Sequence, residues 1–144
     1  MTDWDEVVGH WDHGPFAYGS METTELVLLP DGTGWGLWAG VAGGQDLVVF
    51  EWRRLGPDRL SITETLLASG TWDSARPGQV ICAEPPQPAT GRQEFRYELT
   101  TEVPPLGNDP VAALTLDPAF LFAHQFALVS RDATAAGRPK VVTD

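Results

Sequence analysis

The segment from His10 to His13 is the part of the sequence that most resembles a metal-binding motif, because it holds two imidazoles and a carboxylate. On an extended strand, side chains three residues apart point to opposite faces, so His10 and His13 cannot share one ion without a bulge or a turn. The third histidine, His124, is distant in sequence, and Cys82 is the single cysteine. The spacing therefore predicts no metal site.

Nucleophilic and phosphate-binding motifs are also missing from the sequence. There is no Gly-x-Ser-x-Gly motif, and no glycine-rich loop precedes a helix. The glycine-rich stretch from Gly40 to Gly44 lies between two apolar runs and indicates a hairpin loop. Glu64 is a candidate acid or base, but a single carboxylate does not make a mechanism. We therefore expect a protein that is not an enzyme and has no cofactor.

Aromatic residues provide the clearest functional pattern. In an extended strand, alternate side chains share a face, which pairs Phe50 with Trp52 and Phe95 with Tyr97. Aromatic side chains that face the inside of a barrel favour binding of a small, largely apolar or aromatic ligand, and a barrel filled by its own side chains is the alternative. His124 is expected to face inward, either as a ligand contact or as a buried, hydrogen-bonded side chain. The predicted ligand-binding residues are Phe50, Trp52, Phe95, Tyr97, His124 and Phe126.

The elements that position these residues are strands, since apolar and polar residues alternate with a period of two. The alternation is clearest over 93–103 and 46–55, and shorter runs lie at 25–29, 33–41 and 111–116. Pro30-Asp31-Gly32 and Gly56-Pro57-Asp58 are typical hairpin turns. This spacing predicts an all-β fold with one domain over residues 1–144, an antiparallel up-and-down β-barrel of about eight strands.

Two segments are harder to interpret. Residues 75–92 contain four prolines, which disfavour both helices and central strands, so a long polar loop is expected there. In residues 117–126, an Asp-Pro pair precedes an apolar run. This pattern is compatible with a short helix or with a turn and a strand from about His124 to Arg131. We favour the turn and strand.

The start of the first strand, Gly9-His10-Trp11, resembles the lipocalin and fatty-acid-binding-protein group of calycin β-barrels. Residues 28–35 are similar to bacterial lipocalin-like domains, in which an apolar strand precedes Asp-Gly-Thr-Gly and an aromatic residue. The resemblance implies that Gly9, Trp11 and Arg131 close the bottom of the barrel. Related haem-binding barrels continue as Gly-x-Trp-x-Gly-x-Gly, and residues 9–15 depart from that pattern, so haem is not expected.

The charge of the chain restricts its partners. With 144 residues, 20 acidic and 9 basic, the net charge is −11, which disfavours nucleic acid and anionic membrane surfaces. The amino-terminal sequence lacks the basic and apolar regions of a secretion signal, so a cytoplasmic protein is expected. Residues 1–52 hold nine acidic residues and no lysine or arginine. The alternative function is therefore an acidic interaction module, similar to immunity or inhibitor proteins, that binds a basic protein partner.

Overall fold

A computed structural model describes residues 6–17 and 21–143 of the chain. The strands in these residues are β1 (Gly9–Asp12), β2 (Glu22–Leu28), β3 (Thr33–Gly40), β4 (Gly44–Gly56), β5 (Arg59–Thr71), β6 (Gln79–Cys82), β7 (Gln87–Pro88), β8 (Arg92–Glu102), β9 (Val111–Phe120), β10 (Ala123–Ser130) and β11 (Lys140–Thr143). Short 3-10 helices span Gly14–Phe16 and Ala133–Ala135.

Eight of the strands form a closed antiparallel barrel, which confirms the predicted fold class. The hydrogen-bonded order is β1-β2-β3-β4-β5-β8-β9-β10, and β10 returns to pair with β1. Closure removes the exposed edges that an open sheet would present. The β2–β3 turn, the β4–β5 turn and the start of β1 lie at one end, here called the floor. The β3–β4 and β9–β10 turns lie at the other end, here called the mouth.

The alternation in the sequence sets which side chains enter the barrel. In β8, Phe95 and Tyr97 are buried, while Glu94, Arg96 and Glu98 between and beside them are exposed. The predicted hairpin turns at residues 30–32, 56–58 and 40–44 join neighbouring strands as expected.

Residues 117–126 form strand and turn rather than a helix. Strand β9 continues to Phe120, a two-residue turn follows at Leu121 and Phe122, and β10 begins at Ala123. The Asp117–Pro118 peptide bond, which is cis, lies within β9. The turn-and-strand prediction is confirmed, and the helix alternative is wrong because both sides of the turn pair with each other.

The prediction of a simple loop over residues 75–92 is wrong. This segment contains β6 and β7, and β6 pairs in parallel with β11 from the end of the described chain. Val80 and Cys82 of β6 are buried against the outside of the barrel, which explains why a short strand forms between proline-rich stretches. Strands β6 and β11, together with residues 132–139 that lead into β11, are called the outer layer below.

The described residues form two hydrophobic cores. The first fills the barrel and includes Trp11, Phe50, Phe120 and Phe126. The second lies between the barrel wall and the outer layer and includes Val27, Trp35, Leu47, Val80 and Ala133. Both faces of β2 and β4 are consequently buried along part of their length.

Candidate functional site

The predicted aromatic residues are inside the barrel, where they pack against one another. Phe50, Trp52, Phe95, Tyr97 and Phe126 are all buried members of the same core. Phe120, which the aromatic pattern in the sequence did not single out, belongs to the same core. Its ring centroid lies 5.8 Å from that of Phe50 and 6.2 Å from that of Phe95, in edge-to-face arrangements. In this part of the barrel, the side chains themselves occupy the interior.

His124 is the exception, and the prediction that it faces the interior is wrong. Its side chain is exposed, and Nδ1 lies 2.9 Å from the carbonyl oxygen of Leu116. The register between β9 and β10 is interrupted here: Gln125 pairs with Thr115, whereas Ala123 pairs with Phe120. This irregularity breaks the simple alternation that would place His124 on the same face as Phe126.

Tyr97 carries a polar atom into the barrel. The side chain is 6% exposed, and its hydroxyl has no hydrogen-bond partner among the described residues. An enclosed hydroxyl without a partner is unusual and is expected to cost free energy. The hydroxyl is therefore a polar group that a ligand inside the barrel could satisfy.

The residues implied by the lipocalin resemblance lie together at the floor. The Trp11 side chain is fully buried, and its Nε1 donates a hydrogen bond to the Val7 carbonyl at 2.9 Å. The guanidinium carbon of Arg131 lies 5.7 Å from the centroid of the Trp11 ring, and Nη1 of Arg131 donates to the carbonyl of Glu6. A Cβ atom on Gly9 would lie 3.0 Å from the Ser130 carbonyl oxygen, so β1 and β10 approach closely here.

An apolar recess of about 360 Å³ opens at the mouth of the barrel. Glu64 and Gln93 are its polar lining residues, and Phe120 separates it from the core below. The remaining lining residues are Val48, Ile62, Phe95, Ala119, Leu121 and Phe122. We call this space the mouth recess. Of the predicted ligand-binding residues, it contains only Phe95.

The β9–β10 turn forms one rim of the mouth recess. Leu121 and Phe122 have φ values of 45° and 69°, a left-handed conformation that is uncommon for residues with side chains of this size. Buried Thr24 supports the turn, since its Oγ1 donates to the Leu121 carbonyl at 2.7 Å. Phe122 is 72% exposed, and its ring centroid lies 6.2 Å from that of Trp38. No Asn-Gly or similar signal marks this turn, so the left-handed conformation of its two residues was not predictable from local sequence.

Histidine and cysteine side chains do not converge on a metal site in the part of the chain that the structure describes. Nε2 of His10 lies 2.9 Å from the Glu25 carboxylate on the outer wall. His13 lies near the mouth, where its Nδ1 is 2.7 Å from the Gln125 carbonyl oxygen. Cys82 of β6 carries a free thiol that is buried between the outer layer and the barrel, and burial raises its pKa.

The described acidic residues of 1–52 include residues at both ends of the barrel. Asp31 lies in the β2–β3 turn, where hydrogen bonds from the Thr33 hydroxyl and amide lower the pKa of its carboxyl group. Glu22 and Asp46 lie near the mouth. Asp3 and Asp5 fall outside the described residues. The binding of a basic protein partner by this acidic part of the chain stays a prediction.

Comparison with known proteins gives no match to a protein-family model, to a curated protein or to a solved structure at significant similarity. The structure itself shows an eight-stranded antiparallel β-barrel that is compatible with a calycin-like fold. Among the described residues, no helix has the length and apolar character needed to cross a membrane.

Proposed function

We propose that this lipocalin-like barrel binds a small, largely apolar ligand non-covalently, with the mouth recess as the entry and primary contact site. The observation that carries the proposal is the combination at one barrel end of an aromatic-lined recess and two polar side chains, Glu64 and Gln93. A recess of about 360 Å³ lies within the range of small-molecule sites, about 300–1,000 Å³.

The recess suits a neutral apolar body with one polar group. Burial of apolar ligand surface contributes roughly 25 cal/mol per Å². Gln93 can donate or accept a hydrogen bond, whereas the Glu64 carboxylate accepts only, so a hydroxyl or amine is a better partner than a carboxylate. A ligand carboxylate would also experience the field of a chain whose net charge is −11.

Phe120 links this recess to the residues predicted from the sequence. Its ring lies between the recess and Phe50, and also contacts Phe95. Rotation of Phe120 away from these rings would extend the recess into the core, towards the unpartnered Tyr97 hydroxyl. We therefore assign Phe50, Trp52, Phe95, Tyr97 and Phe126 to the wall of this deeper space.

Isothermal titration with 1-octanol and octanoate, which differ in the polar group, tests the proposal. We expect 1-octanol to bind and octanoate to bind more weakly. Phe120→Ala removes the ring that closes the recess and should tighten 1-octanol binding by about tenfold, equivalent to burying two more methylenes. Ala119→Trp fills the recess and should abolish binding.

Leu106→Ala is the matched control, because Leu106 is 79% exposed and does not line the mouth recess. Circular dichroism on each variant separates loss of binding from loss of fold. If folded wild-type protein binds neither probe, or if Ala119→Trp and wild type bind 1-octanol equally, the mouth recess is not the ligand site.

A further inference from the structure

The outer wall of the barrel carries a second recess, separate from the mouth. Its volume is about 500 Å³, and it lies between the barrel wall, the residues that connect β5 to β6, and the outer layer. Its apolar base is formed by three residues of β3, Trp35, Leu37 and Ala39. Ala136 and Pro139 cover one side. We call it the outer recess. None of its lining residues is shared with the mouth recess.

Two glutamines bring unpartnered acceptors to the outer recess. The Oε1 atoms of Gln45 and Gln79 are enclosed and lack a hydrogen-bond partner among the described residues. Gln45 comes from β4 of the barrel, and Gln79 comes from β6 of the outer layer. Enclosed acceptors of this kind are normally satisfied by protein, water or ligand donors. Neither oxygen is accessible in this conformation, so a donor-bearing occupant of the recess would pair with them once the amides turn into the recess.

The charged groups around the outer recess indicate which sign of charge its occupant should carry. Glu25 and Asp73 contribute carboxylates, and Arg76 is the only lysine or arginine among the lining residues. Glu25 is half-buried and already contacts Nε2 of His10 at 2.9 Å. A glutamine amide can rotate to present either its oxygen or its nitrogen, but a carboxylate presents acceptors in every orientation. The two carboxylates therefore make the preference for a donor independent of how the amides are oriented.

Two indole rings, those of Trp35 and Trp72, contribute flat apolar surfaces to the outer recess. Trp35 lies at the base of the outer recess and is 5% exposed. Trp72 is 42% exposed at the rim, and its Nε1 donates to the Gly40 carbonyl at 3.1 Å, which restrains the ring. Tryptophan faces attract organic cations through the ring quadrupole and stack on flat ligands.

From these contacts we propose that the outer recess binds a small, flat organic cation with N–H donors, held by the Gln45 and Gln79 oxygens, the Glu25 carboxylate and the Trp35 and Trp72 rings. This site is additional to the proposed apolar site at the mouth and does not depend on it. Benzamidine, benzamide and benzoate are suitable probes, because they have nearly the same shape and differ in charge and donors.

The experiment measures binding of the three probes by ligand-observed NMR or by isothermal titration. We expect benzamidine to bind at least about tenfold more tightly than benzamide, and benzoate not to bind, since a charged hydrogen bond is stronger than a neutral one. Gln45→Leu and Gln79→Leu should each weaken benzamidine binding by about tenfold. Gln87→Leu alters an exposed glutamine outside the recess and should leave binding unchanged.

Glu25→Gln provides a second test that keeps the shape of a partly exposed side chain. It should weaken benzamidine binding several-fold and leave benzamide binding unchanged. Ala119→Trp, which fills the mouth recess, should not affect benzamidine. The proposal is overturned if benzamidine does not bind, if benzoate or benzamide binds equally well, if both glutamine variants of folded protein bind normally, or if Ala119→Trp removes benzamidine binding.

Discussion

The interior of the barrel and its outer wall are built from the same strands and are packed in different ways. Inside, edge-to-face rings and aliphatic side chains fill the space between the mouth recess and the floor, and the Trp11 indole nitrogen is hydrogen-bonded. Outside, Val27, Trp35 and Leu47 are covered by short strands and irregular chain. That cover leaves the outer recess and the enclosed oxygens of Gln45 and Gln79.

The difference follows from the geometry of each layer. An eight-stranded barrel is just wide enough to be filled by side chains, so inward positions must match one another in volume. Gly34 and Gly36 of β3 show this match, because Cβ atoms there would lie 2.5 Å and 2.4 Å from the rings of Phe50 and Phe120. The outer layer is not constrained by closure. Polar side chains can therefore stand beside aromatic ones there, as a selective ligand site requires.

The test with the largest expected change in the free energy of unfolding replaces one tryptophan from each region. Trp11→Ala removes a fully buried indole from the floor and should lower the free energy of unfolding by about 3–5 kcal/mol. Trp72→Ala removes a 42% exposed ring from the outer recess and should cost about 1 kcal/mol or less. Urea denaturation measures both. Equal losses would show that the interior is no more important to stability than the outer wall.

A second test adds volume to the interior instead of removing it. Gly36→Ala introduces a methyl group against the Phe120 ring, which Phe50 and Phe95 already confine, and should cost about 1–3 kcal/mol. Gly56→Ala is the control, since a Cβ there meets nothing within 4 Å. It should change stability by about 0.5 kcal/mol or less. A neutral Gly36→Ala, measured by the same denaturation, would mean that the interior has unused space.

The interior was predictable from sequence because a period of two separates its residues from solvent. Phe95 and Tyr97 alternate with charged residues, and both are buried as expected. The outer layer was not predictable in this way. In β2, Leu26, Val27 and Leu28 are consecutive and all buried, so no polar face indicates which side is the barrel and which is the outer core.

The candidate sites depended on contacts that the sequence does not encode locally. The mouth recess needs the left-handed turn at Leu121 and Phe122, which Thr24 supports from 97 residues away. The outer recess needs Gln79 to line the same space as Gln45, which depends on the pairing of β6 with β5 and β11. The register irregularity between β9 and β10 changed the orientation of His124, whose inward position was expected from alternation alone.

A smaller effect is expected at the floor, where a charged side chain covers the interior. Arg131→Gln removes the cation near the Trp11 ring and should cost about 0.5–1 kcal/mol. Arg138→Gln changes an exposed arginine of the outer layer and should have an effect within about 0.5 kcal/mol. The difference should decrease in high salt if charge dominates. Identical unfolding curves for the two variants would show that Arg131 does not help to hold the floor.

The smallest effect concerns Cys82 of β6, which is 1% exposed because its side chain is buried between the outer layer and the barrel. Burial raises the pKa of this thiol because the thiolate loses hydration. In the unfolded chain the thiol ionises at its ordinary pKa. Below that ordinary pKa, the protonated Cys82 thiol makes its full contribution to the free energy of unfolding. The contribution is lost as pH rises towards the folded-state pKa.

We therefore expect the stability difference between wild type and Cys82→Ala to be constant from pH 6 to 8 and to shift against wild type at higher pH. Urea denaturation at each pH measures it, and labelling of native wild type with a thiol reagent provides an independent measurement. If the outer layer opens before the barrel unfolds, the opening free energy from labelling will be lower than the global free energy of unfolding. Parallel pH profiles together with rapid native labelling would contradict burial of Cys82. That result would also mean that the outer layer does not form the closed wall that the outer recess requires.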